Sequence, residues 1–209
     1  FNSDGGEVEA CGNGSRCIAY LLGEKNNSKS IKIKTNNRTL NAEIVGEHSV
    51  KLNMGKPLFN WEKIPLSKNL DYKKISINVD GKSFEDGFCV NVGNPHIIFF
   101  VNNNNFNIEK IGPEIENHEF FPEKCNVTLA TIINKKLIKV KVWERGAGLT
   151  KACGTAACAT AFAAKQNQLV DDKVDIEFST GKLSISIDQN KSIHMKGPVS
   201  DIKNIEIKI

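Results

Sequence analysis

The chain has 209 residues, enough for one large domain or two small ones, and a net charge of +4 from 28 basic and 24 acidic side chains. At 40% hydrophobic and 25% charged it has a soluble globular composition, and its apolar run at 97–101 is far too short to cross a bilayer. Lysines alternate with acids and lack interleaved aromatics, which argues against nucleic-acid partners.

The first residues, 1–11, form a polar loop ending in Cys11, after which small residues open an apolar helix (Gly12-Asn13-Gly14-Ser15, then 16–22). Period-two runs at 31–35, 40–45 and 50–54 predict half-exposed antiparallel strands, closed by Gly55-Lys56-Pro57. Residues 58–74 read as a connection. Strands follow at 74–79 and 88–91, with a break at Val92-Gly93-Asn94-Pro95-His96 before the apolar run 97–101. Residues 102–105 are a loop and 108–115 have weak helical character around Gly112-Pro113. Strands at 125–133 and 136–143 lead to a second small-residue stretch, Glu144 to Cys158, which continues as an Ala-rich helix to 165. Alternating segments at 174–178, 183–187, 193–195 and 202–209 predict four more strands.

The two halves share one order: polar loop, Cys-Gly, helix, three alternating strands, then Gly near Pro. Cys11 and Cys153 are 142 residues apart, and Gly55 and Gly197 each lie 44 residues beyond their cysteine. Internal duplication follows. The expected fold is α+β, with two pseudo-symmetric halves, each a mainly antiparallel sheet or barrel around a central helix, facing each other across a cleft. Residues 1–57 with 199–209 make the first half and 58–198 the second. Asn94 lies 59 positions before Cys153. An equivalent Asn-bearing strand is therefore expected about 48 residues before residue 1. Residue 1 is Phe, so a natural start upstream is also expected.

A cysteine at a helix start faces free N–H groups and the positive end of the helix, which lowers a thiol pKa. Two such thiols from related halves suit proton removal on one face of a carbon and delivery on the other. Backbone N–H groups at Gly12, Asn13, Gly154 and Thr155 suit a substrate carboxylate, and glycine at 12 and 154 lets the backbone come close to it. No dinucleotide or P-loop motif is present, so no organic cofactor is expected. The cysteine spacings lack a nearby His or a CxxC pair, so no metal is expected either. Cys17, Cys89, Cys125 and Cys158 read as core fillers, and Arg16 as a structural salt-bridge or cap partner. Six cysteines without a visible secretory signal point to reduced thiols in the cytoplasm.

Asn2-x-Asp4-Gly5-Gly6-x4-Cys11-Gly12-Asn13-Gly14-x-Arg16 resembles the first signature of the diaminopimelate epimerase family, which usually has Ser at the position of Gly6. Glu144-Arg145-Gly146-Ala147-Gly148 with Ala152-Cys153-Gly154-Thr155 is similar to its second cysteine motif. Val92 to His96 and Phe121 to Asn126 match two further segments. The resemblance implies a cofactor-independent epimerase converting LL-diaminopimelate to the meso form in lysine and peptidoglycan precursor synthesis. Cys11 and Cys153 would be its acid/base thiols. Asn2, Asn94, Asn126 and Arg145 would hold the distal stereocentre, and Gly12, Asn13, Gly154 and Thr155 the reacting carboxylate. Glu144 would contact substrate, and His96 and Glu144 would tune the thiols. A homodimer is also implied, although Lys203 stands where many members carry Tyr at the dimer contact. The alternatives are a proline or hydroxyproline racemase, whose relatives usually show His after Cys-Gly and Asp before the second cysteine, and a non-catalytic amino-acid-binding relative.

Overall fold

In the computed structural model, residues 11–35, 39–102 and 105–203 are described. Helix α1 (Gly12–Asn26) starts at Cys11 and ends at Asn27, whose left-handed backbone returns its N–H to Gly23 O and Glu24 O. Strands β1 (Ser30–Lys34), β2 (Thr39–Gly46) and β3 (Ser49–Gly55) follow as an antiparallel meander. After a turn-rich connection come β4 (Ile75–Val79), β5 (Lys82–Asn91) and β6 (Pro95–Phe100), then α2 (Ile108–Glu116). The rest is β7 (Asn126–Asn134), β8 (Leu137–Glu144), β9 (Gly148–Leu149), α3 (Gly154–Gln166), β10 (Lys173–Phe178), β11 (Gly181–Ile187) and β12 (Ile193–Pro198).

The strands join in the order β1-β2-β3-β12-β11-β10-β8-β7-β6-β5-β4, with β9 added beside β8. Neighbours are antiparallel except β10 with β8 and β6 with β7. The two helix-plus-three-strand units predicted from the repeat meet at β3 and β12. There Asn53 pairs with His194 and Leu52 with Met195. The offset between the cysteines also relates Leu52 to His194 and Asn53 to Met195, so the junction maps onto itself when the repeats are exchanged.

Helix α3 is buried on every side from Gly154 through Ala164. Its run of alanines permits this, because small side chains let strands approach all round. Helix α1 is one-sided: Ala19 and Tyr20 are buried while Ile18 and Leu21 are about half exposed. Cys17 is exposed with them and is not the core filler expected, whereas Cys89, Cys125 and Cys158 are buried. A second core, around Ile77, Phe84, Phe99, Ile111, Ile115 and Leu129, packs α2 against the other end of the sheet.

Two further differences from the sequence reading have physical causes, and one expectation falls mainly outside the described residues. Strand β5 begins at Lys82 rather than 88, because its first residues are mostly exposed and show no clean alternation. Helix α2 runs through Pro113, started by Asn107, whose side chain accepts the Glu109 N–H at 3.0 Å. The strand expected at 202–209 falls mainly on 204–209, outside the described residues, and Ile202 and Lys203 carry no regular structure. No helix among the described residues is long and apolar enough to cross a membrane.

Candidate active site

Cys11 and Cys153 are the N-cap residues of α1 and α3, both with extended backbone, and both line one cavity of about 570 Å³. Each cysteine carbonyl accepts the first helical bond, from Ser15 N–H at 2.9 Å and Ala157 N–H at 3.1 Å. The N–H groups of the first helical turn have no partner inside the helix, and Gly12, Asn13, Gly154 and Thr155 line the cavity. Cys11 is exposed, and its Sγ accepts the Gly14 N–H at 3.4 Å. Arg16 is buried behind it and donates to Asn13 Oδ1 at 3.0 Å and Gly12 O at 3.4 Å, a structural role within the first turn rather than a cap.

Cys153 differs. It is only 5% exposed, and its Sγ lies 3.4 Å from Thr155 Oγ1. The expectation that a helix start lowers this pKa is overturned. Burial and then the neighbouring Glu144 charge push the thiol up to about 12, against the opposing pull of the Thr155 hydroxyl and the Ala156 N–H. Cys153 is therefore held as the thiol. The Glu144 carboxylate is fixed in turn by a short hydrogen bond from the Thr150 hydroxyl.

One wall of the cavity comes from three loops tied together. Asn126, at the start of β7, donates from Nδ2 to Pro95 O at 2.7 Å and accepts the Arg145 N–H on Oδ1 at 3.0 Å. Arg145 Nη1 reaches Glu123 O at 3.0 Å. Asn94 Oδ1 accepts from His96 Nε2 at 2.8 Å. His96 is fully buried, and burial followed by the Arg145 charge lowers its pKa to about 3, so its ring is neutral. It does not line the cavity, and the Cys153 shift comes from burial and then Glu144, with no contribution from His96.

The cavity thus brings together Cys11, Gly12, Asn13, Asn94, Asn126, Glu144, Arg145, Cys153, Gly154 and Thr155. Asn2 lies outside the described residues.

The diaminopimelate epimerase family model matches residues 1–59 and 88–202. A diaminopimelate epimerase of Pelagibacter ubique (strain HTCC1062) is 57% identical, with the match covering all of this chain and 78% of that protein. The chain belongs to the diaminopimelate epimerase family.

Two solved structures show the same fold at low identity. A Bacillus anthracis phenazine biosynthesis protein of the PhzF family matches with a TM-score of 0.65 at 17% identity, over 100% of this chain and 79% of that one. A probable proline racemase from Agrobacterium radiobacter K84 gives 0.66 at 11%, over 91% and 65%. The fold is accordingly the mixed α+β fold common to the epimerase family and these proteins.

Within this family member, sequence reasoning missed the cavity residues Glu62, Lys63, Asn91 and Glu123. Glu62 and Lys63 belong to the stretch read as a mere connection. Asn91 Nδ2 donates to Lys63 O at 2.6 Å, while its Oδ1 accepts the Gly93 N–H at 2.8 Å, which brings that stretch to the cavity wall. No local motif announces such a contact; the nearest signal was the polar Asn91 at the end of an apolar strand.

Proposed function

We propose that this epimerase interconverts LL- and meso-diaminopimelate by two thiols acting on opposite faces of one α-carbon. The observation that carries the reading is that both N-cap cysteines open onto one cavity, at the starts of two converging helices. Family membership supplies the substrate.

The substrate α-carboxylate sits on the N–H groups of Gly12, Asn13, Gly154 and Thr155, where the positive ends of α1 and α3 stabilise it and the charge that develops beside it. The Cys11 thiolate takes the α-proton, leaving a carbanion delocalised into the carboxylate. The Cys153 thiol delivers its proton to the opposite face, so one proton enters, one leaves and the configuration inverts. The products are a Cys11 thiol and a Cys153 thiolate, which is the starting state for the reverse direction. Glu144 holds the Cys153 proton in place until transfer. Asn2, Asn94, Asn126 and Arg145 bind the distal amino and carboxylate groups, and His96 sets the orientation of Asn94.

The same reading takes residues 1–57 with 199–209 and residues 58–198 as two pseudo-symmetric halves with the site in the cleft between them. The self-matching β3–β12 register supports it. A cytoplasmic location and a homodimer are part of the proposal, on the cysteine usage and the family resemblance respectively. Asn13 after Cys11-Gly12, and Glu144-Arg145 before the second cysteine, favour diaminopimelate over proline or hydroxyproline.

The test is deuterium incorporation at the α-position of LL-diaminopimelate in heavy water without added cofactor, with proline and hydroxyproline alongside. Exchange of diaminopimelate alone is expected, with loss of epimerisation in Cys11→Ala and in Cys153→Ala. Activity surviving both substitutions would sink the two-thiol mechanism, and exchange of proline instead would sink the substrate assignment. Binding of diaminopimelate without exchange would leave only the binding-protein alternative.

A further inference from the structure

Glu116 is the last residue of α2, only 5% exposed, and belongs to none of the groups assigned so far. Both of its carboxylate oxygens are spent on one short stretch of chain. Oε2 accepts the Trp143 Nε1–H at 2.7 Å, and Oε1 accepts the Gly146 N–H at 3.0 Å. Those two donors lie immediately either side of Glu144 and Arg145, so a single carboxylate brackets the turn that carries both.

The bracket is rigid at each end. A β-carbon on Gly112 would fall 2.6 Å from Trp143 Cγ, and one on Gly148 3.4 Å from the far edge of the same ring, so the indole is wedged between α2 and β9. Gly146 has φ +72, a conformation that side-chain-bearing residues rarely adopt, and Ala147 N–H closes the turn on Glu144 O at 3.0 Å. Asn126 and Glu123 O hold Arg145 from the other side.

Among the described residues Glu116 forms no ion pair. A buried carboxylate without a cation is costly unless both oxygens are hydrogen-bonded. An apolar residue would anchor α2 at lower cost, as Ile111 and Ile115 already do. What an apolar residue lacks is two acceptors with a fixed separation.

We infer that Glu116 is a positioning residue for substrate binding: its carboxylate sets where the Arg145 turn stands, and through Arg145 how tightly the distal carboxylate of the substrate is held, while Thr150 holds Glu144. This rests on the distal-binding role proposed for Arg145.

Glu116→Gln in the natural full chain keeps the volume and one acceptor, but turns an amide N–H₂ toward one of the two donors. The expected result is a KM for LL-diaminopimelate raised about tenfold with kcat within about threefold of the parent, in protein shown to be folded at the assay temperature. The second substrate is 2-aminoheptanoate, which has the same carbon chain without the distal amino and carboxylate groups. Parent and variant should exchange its α-proton equally. A lowered Tm with unchanged KM, or equal slowing on both substrates, overturns the inference and leaves Glu116 a plain anchor. Trp143→Phe keeps the ring and removes one bond of the bracket; it should raise KM about two- to threefold, again only for diaminopimelate. This variant also decides the matter if Glu116→Gln fails to fold, an unchanged KM then counting against the inference. Arg145→Ala separates the two readings. If it leaves KM unchanged, the Arg145 assignment falls and the inference with it; if it raises KM while Glu116→Gln does not, the inference alone falls.

Discussion

Gly12 and Gly154 meet face to face at the first residues of the two helices. A β-carbon on Gly154 would fall 3.4 Å from Gly12 Cα, and one on Gly12 would fall 3.6 Å from Gly154 Cα. Met195 lies against both, its side chain rising from the β12 position that pairs with Leu52. The sequence pattern suggested that these glycines admit a ligand. The geometry gives them a prior duty, which is to leave room for Met195: a β-carbon on Gly12 would fall 2.7 Å from its Cε and one on Gly154 3.1 Å from its Sδ. Since Cys11 and Cys153 each immediately precede one of these glycines, the contact holds both thiols at one opening.

Gly12→Ala tests that contact. The new methyl would stand 2.7 Å from Met195 Cε, the free end of a flexible side chain, so the cost lies at the low end of the about 1–3 kcal/mol typical of overpacking. Alanine is favoured over glycine in a helix by about 1 kcal/mol, so the two nearly cancel and urea unfolding should show little net change. Activity should fall all the same, about tenfold or more in kcat/KM, because the displaced N–H groups are those proposed to hold the carboxylate. The loss should shrink when Met195→Ala is added. A fully active Gly12→Ala protein would show that Met195 yields the space without moving those N–H groups.

The thiol of Cys153 makes a second prediction. Its pKa is raised from the ordinary 9.0 to about 12, first by burial and then by Glu144. Between those values the folded protein keeps a proton that the unfolded chain has lost. The resulting stabilisation is complete below about pH 9 and declines as pH rises toward 12. Cys153→Ala should therefore lose stability less steeply than the parent between pH 9 and 10.5. Glu144→Gln removes the charge at constant shape, so peptide-resolved alkylation of Cys153 at pH 9 should quicken about three- to tenfold. An unchanged rate would mean that Glu144 does not act on this thiol.

The repeat was legible because its signals are local. Period-two runs became β1, β2 and β3 nearly in place, since each strand buries one face. The alanine-rich stretch after Cys153 became α3. The paired cysteines were legible as helix starts for the same reason. What could not be read depends on contacts distant in sequence. Lys63 reaches the cavity wall through Asn91, 28 residues away, and Glu116 reaches Gly146 across 30. The pKa of Cys153 escaped too, because its sign is set by how completely strands enclose α3. The sequence shows the helix end but not the enclosure, and burial outweighs the helix end.

His96 carries the last prediction. Its ring is fully buried with Nε2 on Asn94 Oδ1 at 2.8 Å, and Nδ1 has no hydrogen-bond partner among the described residues. Burial, and secondarily the Arg145 charge, lower its pKa from 6.5 to about 3. Below pH 6.5 the unfolded chain takes up a proton that the folded state refuses. The contribution to stability is whole above pH 6.5 and is lost as pH falls from there toward 3. The His96 ring resonances should stay constant from pH 8 to pH 5, with the Nε2 proton retained. His96→Gln keeps an N–H donor for Asn94 and should flatten the acid limb of the stability profile. A neutral ring also limits what His96 does at the site: it fixes Asn94 and presents no cation to either thiol. A resonance titrating near 6.5 would overturn both the burial argument and that limit.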